Sequence, residues 1–170
     1  MRIIDKEELN QYEGYSHVWY ACYGSNINYD RFMKYINGDE KYSTSEGCED
    51  KSEPLEERQY IFEHPIYFAG KSQIWGGGVA YLDYERPGRS YGKLYKVTMK
   101  QFEGILKQEQ RAQLYNTILL VDTIDNLPVF SFTAKHRIDE LLSEPSKEYL
   151  DVINKGIDDL YGNVEEIKKW

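Results

Sequence analysis

Phe102, Ile105, Leu106 and Glu109 recur at i, i+3, i+4 and i+7, the spacing of one helix face. Three of these residues are apolar. The fourth puts a carboxylate on the stripe that should meet a core, while Lys100, Glu103, Lys107 and Gln108 mostly take the remaining faces. Burial penalises a charged carboxylate, so a glutamate turned inward binds its proton more tightly and becomes a useful proton acceptor near neutral pH. Periodicity leaves a second reading open, in which Glu109 sits in the last turn of its helix and points to water.

A second stretch suits the binding of an anion. In "VWYACYGSNINYDRFM" an aromatic run breaks at Tyr23-Gly24-Ser25-Asn26 and restarts as a helical pattern. Successive backbone N–H groups in such a strand-to-helix turn can cradle a carboxylate or phosphate. Gly24 permits both a sharp turn and close approach of a ligand. Gly-Ser-Asn is also ordinary turn chemistry, so the stretch alone does not decide between chain reversal and binding.

Other reactive side chains offer less. His17, His64 and His136 share no metal-ligand spacing with one another or with Cys22 and Cys48, so no metal site is expected. Cys22 stands between Ala21 and Tyr23 in a strand-like run and reads as a buried, inert thiol rather than a nucleophile. Gly76 to Gly78 lack the Lys-Ser or Lys-Thr of a phosphate loop, and a bulge or a close backbone approach is expected there.

The elements that must position these groups follow from local signals. Asp5 to Gln11 reads as a short helix, and His17 to Gly24 as a buried strand. Asn28 is placed to cap a helix from Tyr29 to Ile36 that ends at Asn37-Gly38. Gly38 to Glu57 carries eight acidic residues against two lysines and is expected to be a solvated loop or a flexible flap, with disorder. Strands are expected over Gln59 to Ala69, Gln73 to Tyr84 and Ser90 to Val97, paired as a meander. Thr98 with Gln101 has capping-box spacing before a helix from Met99 to about Gln110. Strands from Leu114 to Thr123 and Pro128 to Arg137 precede a last helix from Lys147 to Leu160, for which Ser146 is the cap.

A chain of 170 residues with no internal repeat or linker is expected to form one domain, residues 1–170. A net charge of −8 argues against a nucleic-acid partner, which calls for a basic stripe. Nowhere do about 18 uninterrupted apolar residues occur that would span a bilayer, and the N-terminal stretch lacks the apolar core of a signal peptide. A cytoplasmic protein without a membrane partner is therefore expected, and the two cysteines do not suggest a disulfide framework. Nothing in the sequence specifies an oligomeric state.

Several stretches together resemble the gamma-glutamylcyclotransferase-like family. They are Tyr23-Gly24-Ser25-Asn26 after a hydrophobic strand, Gly92-Lys93-Leu94-Tyr95-Lys96-Val97 before a helix, Glu109 near that helix's end, and Pro145-Ser146-Lys147-Glu148-Tyr149 with Gly156. The resemblance runs from about Val18 to about Gly162. It implies an α+β fold, a small mixed-strand barrel flanked by helices. It also implies a cofactor-free cyclisation of a small gamma-glutamyl substrate, releasing an amine or amino acid and 5-oxoproline. Glu109 would be the general acid/base, the Tyr23 to Asn26 loop would hold the glutamyl end, and Tyr115 and Tyr149 would line the pocket. Two departures stand out: Gln110 follows Glu109 where the family usually has glycine, and the acidic insert at 38–57 does not align. Two alternatives remain open: removal of a gamma-glutamyl protecting group on the same fold, or a module that binds a small carboxylate without turnover. Glu109 favours catalysis, because a carboxylate binder gains nothing from a second buried negative charge.

Overall fold

The computed structural model describes residues 1–39, 46–111 and 115–168, without the side chains of Arg111 and Glu140. In chain order the elements are β1 (Arg2–Ile4), α1 (Lys6–Asn10), β2 (His17–Cys22), α2 (Tyr29–Asn37), β3 (Glu56–Phe62), β4 (Ile66–Ala69), β5 (Val79–Leu82), β6 (Ser90–Thr98), α3 (Met99–Arg111), β7 (Thr117–Ile124), β8 (Leu127–Thr133) and α4 (Lys147–Tyr161). Six strands form one sheet in the order β1-β7-β8-β2-β6-β3, while β4 and β5 form a separate ribbon. Antiparallel β1/β7 and β7/β8 pairs beside the parallel β2/β8 pair make the sheet mixed, so the fold class is α+β as expected.

The expected meander is corrected. Glu63, His64 and Pro65 break the run from Gln59 to Ala69, leaving β3 at the edge of the large sheet and β4 paired with β5. The first half of the stretch from Gln73 is a loop rather than a strand. Ser72 Oγ accepts hydrogen bonds there from the N–H groups of Ile74 and Trp75, and Gly76 and Gly77 adopt φ values of 68° and 67°.

Residue contacts divide the chain into two compact units, each assembled from three segments: 1–21, 33–57 and 94–135 in the first, 22–32, 58–93 and 136–170 in the second. The core of the first is aromatic. Tyr20 stacks on Phe132 with ring centres 5.5 Å apart, and Phe102 stacks on Phe130 at 5.2 Å. α3 starts with the predicted capping box: Gln101 N–H donates to Thr98 Oγ1 and Thr98 N–H to Gln101 Oε1, at 3.1 and 3.0 Å. At the β7–β8 turn, Asp125 and Asn126 both take positive φ, as a tight two-residue hairpin requires.

Part of the acidic insert, residues 40–45, lies outside the described residues, as does Trp170. The part from Glu46 onward is not a solvated flap throughout, which corrects the expectation. Gly104 leaves room on α3 for the buried Cys48, whose N–H donates to Ile36 O at 2.9 Å. Cys48 Sγ and Gln108 Nε2 both approach Tyr35 O, at 3.4 and 2.9 Å, and Lys51 Nζ reaches Ile36 O at 3.3 Å. The insert thus pairs carbonyls of the last turn of α2 that the helix itself leaves unbonded. Gln101 Nε2 holds the same segment through the carbonyl of Ser52, at 2.8 Å. Burial pushes the Cys48 thiol up to about 11.

The second unit carries the ribbon, the 70–78 loop and α4. Ser146 caps α4, its Oγ accepting from Tyr149 N–H at 3.2 Å. Arg137 lies over the Tyr67 ring, 5.1 Å from its centre, and donates to the buried carboxylate of Asp83 at 3.3 Å, pinning the segment before α4 to the ribbon.

Candidate functional site

The Gly24 turn is a strand-to-3₁₀-to-helix junction. β2 ends at Cys22, Ser25–Ile27 forms one 3₁₀ turn, and α2 begins at Tyr29. The hydrogen-bond ladder of that turn starts at Ile27, whose N–H donates to Gly24 O, followed by Asn28 N–H to Ser25 O. Asn28 does what its sequence position suggests and one thing more. Its Oδ1 accepts from Arg31 N–H at 3.1 Å, which caps α2, and its Nδ2 donates to Val152 O of α4 at 3.2 Å.

Gly24 has a φ of −116°, so its glycine is not required by a left-handed backbone. Space is the reason. A Cβ there would lie 3.1 Å from the hydroxyl of Tyr149, which itself accepts the N–H of Ala80 at 3.1 Å. The structure therefore brings together two of the candidate residues, Gly24 and Tyr149, the latter buried at the base of α4. Tyr23 is buried edge-on to Phe62 at 5.8 Å, Ser25 is half-buried, and Asn26 is buried.

Glu109 and Tyr115 belong to the first unit. Glu109 is only 6% exposed, beside Phe102 and Ile105 at 0% and Leu106 at 4% on the same stripe. The water-facing alternative for this carboxylate is thereby removed. Tyr115 is half-buried, its ring 5.3 Å from that of Phe132.

Three side chains near the turn were given no role in the reading of the sequence, Lys93 being quoted only within the Gly92 to Val97 stretch. Arg31 is buried with its guanidinium 5.6 Å over the Trp75 ring, and Trp75 in turn lies 5.7 Å from the Tyr149 ring. Lys93 is buried as well, its Nζ donating to Ile27 O at 3.4 Å and lying 5.7 Å over the Tyr29 ring. Both cations are thus packed against the turn by ring faces and, for Lys93, by a backbone carbonyl. Arg31 shares a face with Tyr35 at i+4, a signal that was present; the burial of Lys93 follows from tertiary packing.

Cys22 is a buried free thiol that donates weakly to Lys93 O at 3.6 Å. Burial pushes its thiol up to about 12 against the pull of the Lys93 charge, leaving almost no thiolate to act as a nucleophile near neutral pH. Among the described residues, no group of three or more His, Cys, Asp or Glu side chains is placed to hold a metal ion. No described helix is long and apolar enough to cross a membrane.

No family model matches the sequence. The chain is 32% identical over 154 residues to histone deacetylase 5 of Arabidopsis thaliana, an alignment that covers 86% of this chain and 21% of that protein. The chain thus spans about a fifth of the length of the curated relative it matches. Among solved structures, a gamma-glutamyl cyclotransferase superposes with a TM-score of 0.67 at 16% identity, over 90% of this chain and 85% of that one. A human protein described as uncharacterized superposes with a TM-score of 0.65 at 17% identity, over 91% and 86% of the two chains. The chain has the gamma-glutamyl cyclotransferase-like fold.

Proposed function

We propose that this chain is a gamma-glutamyl cyclotransferase: it closes a gamma-glutamyl substrate on itself and releases 5-oxoproline and an amine or amino acid. The observation that carries the reading is the buried carboxylate of Glu109, on a chain with this fold. The substrate's α-amino nitrogen attacks its own γ-carbonyl carbon, forming the ring C–N bond. Collapse of the tetrahedral intermediate breaks the C–N bond to the leaving amine. Glu109 takes the proton lost by the attacking nitrogen and returns it to the departing one, so the catalyst ends unchanged. The five-membered ring makes the attack intramolecular, so holding one conformer and moving one proton supply most of what an enzyme can add. The Tyr23 to Asn26 turn, with Tyr149 over Gly24, would fix the glutamyl end by its backbone N–H groups. Tyr115 is proposed as a further pocket residue.

The test is incubation with gamma-glutamyl amino acids, gamma-glutamyl amines and glutathione, with 5-oxoproline followed by mass spectrometry. Release from at least one substrate is expected, and none from any would overturn the proposal. Gly24→Val tests the cradle separately. A branched side chain there displaces the Tyr149 hydroxyl from Ala80 N–H and fills the space a ligand would occupy, so affinity for 5-oxoproline should fall by about tenfold or more in calorimetry. A folded Gly24→Val protein that binds 5-oxoproline like the parent removes the cradle from the mechanism.

A further inference from the structure

The triple glycine closes a loop that presents one half-buried side chain, Trp75. Ser72 N–H donates to Gly77 O at 2.8 Å and Gly76 N–H to Ser72 O at 3.0 Å, while Ser72 Oγ accepts the N–H groups of Ile74 and Trp75 at 3.1 and 3.0 Å. The backbone around Trp75 is thus bonded within the loop itself. Gly76 is glycine for its conformation, since its φ is 68° and a Cβ there would meet nothing within 4 Å. Gly77 is glycine for space as well. Its Cβ would lie 2.6 Å from Glu144 O, and Gly78 N–H donates to that same oxygen at 2.9 Å, which ties the loop to the segment before α4.

The Trp75 ring reaches two supports of the Gly24 turn, and all of these residues belong to the second unit. One contact is the guanidinium of Arg31, 5.6 Å over the ring centre. Arg31 lies in the first turn of α2, where its N–H donates to the capping Oδ1 of Asn28. The other contact is the ring of Tyr149, 5.7 Å away and tilted by 35°. The Tyr149 hydroxyl accepts Ala80 N–H and stands where a side chain at Gly24 would go. Both distances are those of a cation on a ring face and of an aromatic pair, so the six- and five-membered rings of Trp75 do the holding. Without them Arg31 loses a ring face and Tyr149 a neighbour, and the start of α2 and the base of α4 gain freedom to shift about Gly24.

We infer that Trp75, presented by the Ser72 loop, is a positioning residue: it sets the spacing between the start of α2 and the base of α4, and with it the fit of the Gly24 turn to the glutamyl end of a ligand. This inference rests on the cradle of the proposed function. Trp75 acts through Arg31 and Tyr149 and not on the proton transfer, so its loss appears in affinity and KM while kcat stays near the parental value.

The experiment is calorimetry of 5-oxoproline on the wild type, Trp75→Ala, Trp75→Phe and Ser72→Ala, with a urea midpoint for each and kcat and KM on a gamma-glutamyl substrate the wild type accepts. Trp75→Ala should bind about tenfold more weakly and raise KM to match, with kcat within about twofold. Trp75→Phe keeps a ring and should stay within about threefold of the parent. Ser72→Ala leaves Trp75 in place but frees the Ile74 and Trp75 N–H groups, so its affinity should fall between those of the parent and Trp75→Ala, and it carries the test if Trp75→Ala does not fold. Gln73→Ala, at an exposed position of the same loop, is the control and should match the parent. Parental affinity in folded Trp75→Ala or Ser72→Ala protein, a phenylalanine variant as weak as the alanine one, or a loss confined to kcat or to the urea midpoint overturns the inference. A wild type that binds no 5-oxoproline removes the cradle and the role of Trp75 with it. Binding that depends on Trp75, with no 5-oxoproline released from any substrate, instead overturns the cyclisation alone and leaves Trp75 positioning a carboxylate-binding turn.

Discussion

Glu109→Gln should lower turnover by about 10² to 10⁴ while leaving substrate affinity within a few-fold. Glutamine keeps the size of the side chain and can still hydrogen-bond, but its amide cannot accept the proton that leaves the attacking nitrogen. The position makes this a demanding test. Glu109 lies 6% exposed at i+7 from Phe102, on a stripe otherwise made of apolar side chains. Burying a carboxylate is costly, so a fold that needed only packing here would be served better by leucine or methionine. If the carboxylate is purely structural, the substitution moves the urea midpoint and leaves kcat of the folded fraction unchanged. If it is the base, kcat falls in fully folded protein, and the wild type loses rate as pH drops and the carboxylate takes up a proton. That acid limb should be absent from the residual rate of Glu109→Gln. Near-parental kcat on any substrate the wild type accepts would remove Glu109 from the mechanism and put the carboxylate-binding module in front.

The stripe on α3 was legible because its signals are local. Thr98 and Gln101 stop and start the backbone within one turn, and the apolar period runs over the next three. The same holds for Ser146 and α4. β1 was invisible for the opposite reason: three residues carry no period, and Arg2–Ile4 is extended because Arg2, Ile3 and Ile4 pair with Leu120, Leu119 and Ile118 far along the chain. The meander failed on the choice of partner, which the sequence of a strand does not encode. Pro65 divides the run from Gln59 and frees β4 to pair with β5. Cys48 looked like part of an acidic loop because its neighbours are charged. Its place against Gly104 depends on a glycine 56 positions on, a matching of small and large surfaces that appears only in three dimensions.

The site divides along the same line. Gly24, Ser25 and Asn26 advertise a turn, and the turn is there. Tyr149 was singled out by resemblance, and its hydroxyl proves to explain Gly24, since the two compete for one space. Arg31 and Lys93 received no role, although Lys93 lies in a stretch that carries the resemblance, because charged residues are read as surface by default. Their burial is a property of the packed turn, with Trp75 and Tyr29 supplying ring faces for the two cations.

Gly156→Ala should destabilise the protein by about 1 to 3 kcal/mol, although local helix chemistry predicts the reverse. Gly156 is in the interior of α4, where replacing glycine with alanine ordinarily stabilises by about 1 kcal/mol. Here a Cβ would lie 2.5 Å from Asn28 N and 2.6 Å from Ile27 C. Both are backbone atoms of the junction between the Gly24 turn and α2, so no side chain can rotate away. Either α4 moves back and Asn28 Nδ2 gives up Val152 O, or the turn shifts and carries Gly24 away from Tyr149. Stability falls in the first case, and ligand affinity falls with it in the second. Gly14→Ala is the control, because a Cβ at Gly14 meets nothing within 4 Å, and its urea midpoint should match the parent. Gly156→Val should be worse than Gly156→Ala, since its branch adds volume at a contact that already fails at one carbon. A Gly156→Ala protein as stable as the parent, with unchanged affinity for 5-oxoproline, would mean that α4 does not hold the turn in place, and the cradle would have to be supported from elsewhere.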